Sequence, residues 1–267
     1  MKSRVISMLG LVLPLLAVSA HADTLGPTLD TFAVLGSTPV VSFAAGNDTI
    51  TGDVGIYSAA SITGTFTLNG MEYAGDATAM AAQAGLTNAL TVLGGLASVG
   101  TSLTNLNVNL NPGVYNIAAA DLTGTLTLTN TLDVTDPTWV FIGSALTSSG
   151  SVVMTPGLFN AADAGVFWDI SSSAALSGTF LGNVLAGTSI TTTGVTDSCG
   201  RLLASTGDVT FAGDNTISDT CSVSTSGLSG GTVTAPTPEP GTFTLLSSGL
   251  LGLAFLAFRK SRVSPLI

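Results

Sequence analysis

Two stretches of this chain alternate apolar and hydroxyl side chains and are interrupted by glycine. They are Ser61-Ile62-Thr63-Gly64-Thr65-Phe66-Thr67-Leu68 and Leu122-Thr123-Gly124-Thr125-Leu126-Thr127-Leu128-Thr129. A period of two puts Leu122, Leu126 and Leu128 on one face of a strand and the intervening threonines on the other. The 267 residues include 39 Thr, 29 Ser and 32 Gly, which suits strands and turns better than helices. Further strands are expected at Trp139–Ile142, Val152–Met154, Val166–Ile170, Thr179–Leu185, Ser189–Thr192 and Val209–Phe211. Spacings of about 10 to 20 residues with turn residues between fit a sandwich or a solenoid. No strict repeat is present, which argues against a regular consensus solenoid.

One segment breaks the pattern. From Asp76 to Ala97 the chain is alanine-rich and free of proline, with Asp76 or Thr78 as a candidate N-cap. Ala79, Ala82, Leu86, Leu90, Leu93 and Ala97 recur at steps of three or four, which predicts a helix with one apolar stripe. Gly94-Gly95 weakens its end. A single helix in a β chain must lie along the β body, and its alanines permit close approach.

Charge narrows the function. Only 8% of residues are charged, against about a quarter in ordinary globular domains. Between Asp23 and Pro238 a single base, Arg201, stands against 15 acids, a formal charge of −14. That argues against phosphate-backbone binding, which needs clustered Lys and Arg, so no nucleic-acid partner is expected. The one histidine, His21, lies in a segment expected to be removed. A mature chain without histidine has no Ser-His-Asp or Cys-His catalysis and no His-ligated metal. The acids are scattered and lack a calcium-solenoid repeat. Neither a metal, a cofactor nor an enzyme activity is expected. Trp139 and Trp168 sit in apolar strands and are expected in the core. Asp53 and Asp214 are expected to bond turn backbones. Arg201 is expected in a structural ion pair or capping carbonyls.

The two ends read as addresses. Lys2 and Arg4 precede an apolar run, Val5–Val18, and Ala20-His21-Ala22 is a small-x-small cleavage site. Residues 1–22 are therefore expected to be a secretory signal peptide. At the other end, Pro238-Glu239-Pro240 is followed by an apolar run, 243–258, and then Arg259-Lys260-Ser261-Arg262. The apolar run would rise about 24 Å as a transmembrane helix, with its basic end in the cytoplasm. This order resembles the PEP-CTERM sorting signal of Gram-negative bacteria. The resemblance implies an inner-membrane precursor, processing by an exosortase-type protease near Pro238, Glu239 and Pro240, and release to the outer surface or extracellular matrix. Residues 222–237, rich in Ser, Thr, Gly and Pro, are expected to be a flexible linker ahead of a sorting signal at 238–262. The exported context favours a disulfide between Cys199 and Cys221; the alternative is two free buried thiols.

Between the ends, an ordered set of blocks resembles the ice-binding protein family of bacteria, diatoms and fungi. The blocks are Phe32-Ala33-Val34-Leu35-Gly36, Ile50-Thr51-Gly52-Asp53-Val54-Gly55, Leu110-Asn111-Pro112-Gly113-Val114-Tyr115, Leu122–Leu128 and Val140–Thr147. They continue with Val166-Phe167-Trp168-Asp169-Ile170, Phe180–Ala186, Ser189-Ile190-Thr191, Gly200-Arg201-Leu202-Leu203-Ala204 and Asp214-Asn215-Thr216-Ile217. The resemblance implies a discontinuous right-handed β-solenoid of triangular cross-section over residues 23–221, with one long helix packed alongside. It also implies an ice face marked loosely by Thr-Ala/Gly-x-Thr/Asn motifs.

Thr193-Gly194-Val195-Thr196 matches that motif. Neighbouring rungs offer Thr147, Ser149, Ser151, Ser177 and Thr179, and the early rung offers Thr49 and Thr51. That early rung reads Ala45-Gly46-Asn47-Asp48, a departure expected to put a charge where the family often has Thr. The chemistry suits ice: stacked rungs about 4.8 Å apart and alternate residues about 6.6 Å apart form a lattice. Each Thr there has a stiff χ1, one methyl and one hydroxyl. Taken singly, each Thr is also an ordinary outward strand residue.

Two functions remain. One is an exported protein that adsorbs to ice. The other is a structural or adhesive protein of the cell surface, partnered by an extracellular polysaccharide matrix, without ice activity.

Overall fold

The computed structural model describes residues 24–229, apart from 38–39, 44–45, 59–60, 99–102, 104–105, 156–163, 198 and 222–227. The expected signal segment, sorting signal and apolar run 243–258 lie outside the described residues. Among the described residues no helix is long and apolar enough to cross a membrane.

The chain opens with β1 (Phe32–Gly36), β2 (Val40–Phe43), β3 (Asp48–Thr51), β4 (Asp53–Ile56), β5 (Ser61–Thr63), β6 (Phe66–Asn69) and β7 (Glu72–Ala74). Helix α1 (Ala77–Gly94) follows. The rest is strand: β8 (Asn109–Leu110), β9 (Gly113–Leu122), β10 (Thr125–Leu128), β11 (Thr138–Ser148), β12 (Ser151–Met154), β13 (Gly165–Ile170) and β14 (Ala174–Phe180). Last come β15 (Asn183–Ala186), β16 (Ile190–Asp197), β17 (Leu202–Ala204), β18 (Val209–Ala212) and β19 (Thr216–Ser218).

These strands pair in parallel as three ladders. The first runs β7–β4–β1–β17–β15–β13–β11–β9. The second runs β5–β2–β18–β16–β14–β11–β9. The third runs β6–β3–β19–β16–β14–β12–β10–β8. The long strands turn a corner: β9 and β11 serve the first two ladders, and β14 and β16 the last two. The stack is discontinuous in sequence, because β1, β2 and β3 lie against β17, β18 and β19.

Helix α1 explains that discontinuity. It leaves the β7 end of the stack and returns the chain to the β8 end. Its 18 residues rise about 27 Å, most of the way along a stack of eight strands about 34 Å long. Asp76 caps it, accepting the Ala79 N–H at 2.9 Å. It ends at Gly94 rather than at the expected Ala97, with Gly95 as the C-cap. Ala79, Ala82, Leu86, Ala89 and Leu93 bury its inner face on Phe32, Leu35, Val140, Phe167, Leu185 and Leu203 of the first ladder. That ladder is therefore covered on both sides, which accounts for its continuous apolar runs.

The interior enclosed by the ladders is filled by stacked rings. Phe43 stacks on Phe66 and Phe211 with centroids 3.9 and 4.5 Å away. Trp168 packs between Phe141 and Phe180 at 4.1 and 5.0 Å. Trp139 and Trp168 are fully buried, and their indole N–H groups donate to the Leu110 and Leu181 carbonyls.

Several expected strands are broken where the coil turns. Ser61–Leu68 is two strands separated at Gly64, which has φ +101°. Leu122 ends β9, and β10 begins at Thr125. Thr179–Leu185 is divided at Gly182, with φ +106°. In each case the apolar alternation continues through the corner, so periodicity alone does not reveal the break. The expected linker also begins too early, since Leu228 and Ser229 are buried. The Leu228 carbonyl accepts from Val166 N–H and from Asn183 Nδ2.

Cys199 and Cys221 form a disulfide across 22 residues, with Cα atoms 4.7 Å apart. Closing a loop of that size is worth about 3 kcal/mol. Reduction is therefore expected to lower the unfolding free energy by that amount, read from denaturant curves with and without reductant. An unchanged midpoint would contradict this.

Candidate threonine face

The third ladder presents one side chain per rung at the same register. Thr67 pairs with Thr49, Thr49 with Thr216, Thr216 with Thr196, and Thr196 with Thr179. Thr179 then pairs with Ser151, and Ser151 with Thr125. Seven adjacent rungs thus carry an unbroken hydroxyl column about 29 Å long. Its residues are exposed or half-buried, while the alternate positions Ile50, Ile217, Val195, Val152 and Leu126 are buried. A second column on the same face includes Asn69, Thr51 and Ser218 at one end and Val153, Thr127 and Asn109 at the other.

The regularity has a packing cause. No register shift interrupts the pairings of β6, β3, β19 and β16, nor those of β12 and β10. Beneath the face, close-packed apolar side chains and stacked rings leave the strands little freedom. Among the described residues no other protein group engages the seven hydroxyls. Each rung offers water a methyl and a hydroxyl on a β-branched side chain, except where Ser151 offers a hydroxyl alone.

Of the residues expected on a single face, Thr49, Thr51, Ser151, Thr179 and Thr196 lie together on the third ladder. Thr147 and Thr193 do not. Thr147 aligns with Ala175 and Asp121, and Thr193 with Ala212, on the second ladder. The reason is the corner at Gly194, which turns β16 between Thr193 and Thr196. Ser149 lies between the end of β11 and the start of β12, at the same edge. Ser177 is spent on a hydrogen bond to the Ser148 carbonyl.

Thr67, Thr125 and Thr216 escaped the sequence reading. The alternation of Leu126 and Leu128 already put Thr125 and Thr127 outward. Without the rung register, nothing aligned them with Thr179.

Asp48 corrects a further expectation. It puts no charge on the face, because its side chain points inward and is 1% exposed. Asp214 is exposed at the corner and holds the Asn47 N–H at 2.8 Å. Asp53 accepts the Met71 N–H at 2.8 Å. Among the described residues the hydroxyl column carries no charged side chain.

A second group of buried charged side chains sits at another corner. Arg201, 1% exposed, donates to Asn183 Oδ1 at 2.9 Å and to the Asp30 carbonyl at 2.7 Å. Burial pushes the nearby Asp197 carboxyl up to about 8; backbone hydrogen bonds and the Arg201 charge oppose this. Burial likewise raises Asp219 to about 6, again opposed by Arg201. Beside the helix C-terminus, burial raises Asp169 to about 6. Among the described residues no group of three His, Cys, Asp or Glu side chains could hold a metal.

The sequence profile of the ice-binding-like family matches residues 34–218. That of the PEP-CTERM protein-sorting motif matches residues 236–262. An ice-binding protein of Nostoc sp. (strain HG1) is 42% identical over 262 residues, covering 91% of this chain and 89% of its own. The crystal structure of an ice-binding protein from the Antarctic ascomycete Antarctomyces psychrotrophicus superposes with a TM-score of 0.63 at 29% identity. It covers 72% of this chain and 96% of its own. An ice-binding protein from an Antarctic biological consortium gives 0.61 at 30% identity, over 78% of this chain and 95% of its own.

Proposed function

The chain belongs to the ice-binding-like family, and from that premise we propose that it adsorbs to ice through the threonine face of the third ladder. The observation that carries the assignment of the face is the seven-rung column from Thr67 to Thr125, uncharged and in register. Adsorption to a crystal lattice needs many weak contacts made at once. A rigid column of stiff side chains orders its water before contact, so little conformational entropy is lost on binding. The second ladder is a poorer candidate. It carries Asp121 beside Thr147, and its positions alternate hydroxyls with alanines such as Ala175 and Ala212. In this reading the coil is a right-handed solenoid of triangular cross-section.

The sorting motif at 236–262 marks the protein for membrane-anchored export. The signal segment 1–22 would be cleaved and the apolar run 243–258 would hold the precursor in the inner membrane. An exosortase-type protease would act near Pro238, Glu239 and Pro240. Release would place the domain on the outer surface of a Gram-negative cell or in its polysaccharide matrix.

The test is a disulfide-bonded domain spanning residues 23–236, assayed for thermal hysteresis and inhibition of ice recrystallisation. The expected result is activity in both assays. A folded domain inactive at high concentration would overturn the reading and favour a structural or adhesive surface role.

A further inference from the structure

Three consecutive threonines of the column are each preceded by a residue of one buried hydrogen-bond network. Asp48 precedes Thr49, Asn215 precedes Thr216, and Val195 precedes Thr196. Asp48 Oδ1 accepts both the Asn215 backbone N–H, at 3.0 Å, and Asn215 Nδ2–H, at 2.7 Å. Asn215 Oδ1 accepts the Val195 N–H at 2.9 Å. Asn215 Nδ2 also donates to the Ala212 and Gly213 carbonyls, each at 3.1 Å. The Asn215 carbonyl accepts the Thr49 N–H at 2.8 Å. Asn215 is fully buried.

We infer that Asp48 and Asn215 are positioning residues for ice adsorption, a conclusion that rests on the threonine face being the ice-binding surface. The network joins β3, β19 and β16 at the point where each strand enters that face. It spans the joint between the early strands and the late ones, where chain continuity gives no help. Each bond fixes where a strand starts, and the next side chain outward is a column threonine. A slip of one residue would turn every side chain of that strand to the opposite face. Asp48 and Asn215 touch no ice themselves; they act through Thr49, Thr216 and Thr196.

The chemistry is specific to the pair. Asn215 must donate through Nδ2 and accept through Oδ1 together. In Asn215→Asp, two carboxylates would face each other at hydrogen-bond distance inside the core. Exchanging the two side chains does not restore the set, because an aspartate at 215 would turn an oxygen onto the Ala212 and Gly213 carbonyls while residue 48 must still accept the residue 215 N–H.

The experiment compares thermal hysteresis near 0 °C, where a destabilised domain is still folded by circular dichroism. Amide hydrogen exchange at Val195, Asn215 and Thr49 is followed in parallel. Asn215→Asp is expected to lose hysteresis severalfold and to exchange faster at those amides. A purely structural role would lower the melting temperature but leave hysteresis per folded molecule unchanged. If Asn215→Asp does not fold, Asp48→Ala replaces it, because Asn215 Nδ2 keeps the Ala212 and Gly213 carbonyls. An active wild type with an equally active folded Asn215→Asp or Asp48→Ala would overturn the positioning role alone. An inactive wild type would overturn the ice reading, and the positioning role with it.

Discussion

Replacing Thr179 and Thr196 together by tyrosine is expected to abolish thermal hysteresis while leaving the circular dichroism spectrum and melting temperature near those of the wild type. The two residues are neighbours in the middle of the seven-rung column. Both are exposed, so the new rings enter solvent and leave the core packing undisturbed. Each ring would stand several ångströms above the methyl and hydroxyl groups around it. Contact with a flat crystal surface would then be lost over neighbouring rungs, not only at the altered ones. The control is Thr191→Tyr, an exposed position of similar geometry on the second ladder. It is expected to retain activity. Activity retained in Thr179→Tyr/Thr196→Tyr and lost in Thr191→Tyr would move the binding surface to the second ladder.

Arg201→Ala is expected to have the largest effect on stability, about 3–5 kcal/mol, as for other buried charges stripped of their partner. The side chain is held by Asn183 and the Asp30 carbonyl, and its charge opposes the burial of Asp197 and Asp219. Without it those carboxyl groups keep their protons to still higher pH. Their raised pKa values mean that the folded state holds protons that the unfolded chain, near 3.8, has already released. Stability therefore falls as pH rises from about 4 through about 6 for Asp219 and on through about 8 for Asp197. In the variant this fall is steeper. The gap from wild type is thus expected to be smaller at pH 4 than at pH 8, measured by urea denaturation at each pH. An equal gap at both would assign the role of Arg201 to its hydrogen bonds with Asn183 and Asp30.

The sequence disclosed the helix well, because Ala79, Ala82, Leu86 and Leu93 repeat at helical steps and Asp76 caps them. It also disclosed which strand faces are buried, as with Leu126 and Leu128. Corners were hidden, because alternation runs through Gly64 and Gly182 without a change of phase. The proposed ice face was legible only in pieces for a related reason. Thr67, Thr49, Thr216, Thr196, Thr179, Ser151 and Thr125 become neighbours through register between strands far apart in the chain. A local motif such as Thr193-Gly194-Val195-Thr196 describes neither that register nor the corner between its two threonines. Asp48 looked like a charge on the face because its inward direction follows from the phase of β3, which Ala45-Gly46-Asn47 does not announce.

The meeting of β3 with β19 also bears on how the protein matures. Thr49 and Thr216 touch across a seam between the beginning and the end of the domain, so the column does not exist until both segments have been made and brought together. Contacts so distant in sequence form slowly, because the loop between them must close first. A nascent chain holds at most two partial columns, Thr49 with Thr67 and the late one from Thr216 to Thr125. The seven-rung column thus belongs to the finished coil and not to any stretch of the chain within it.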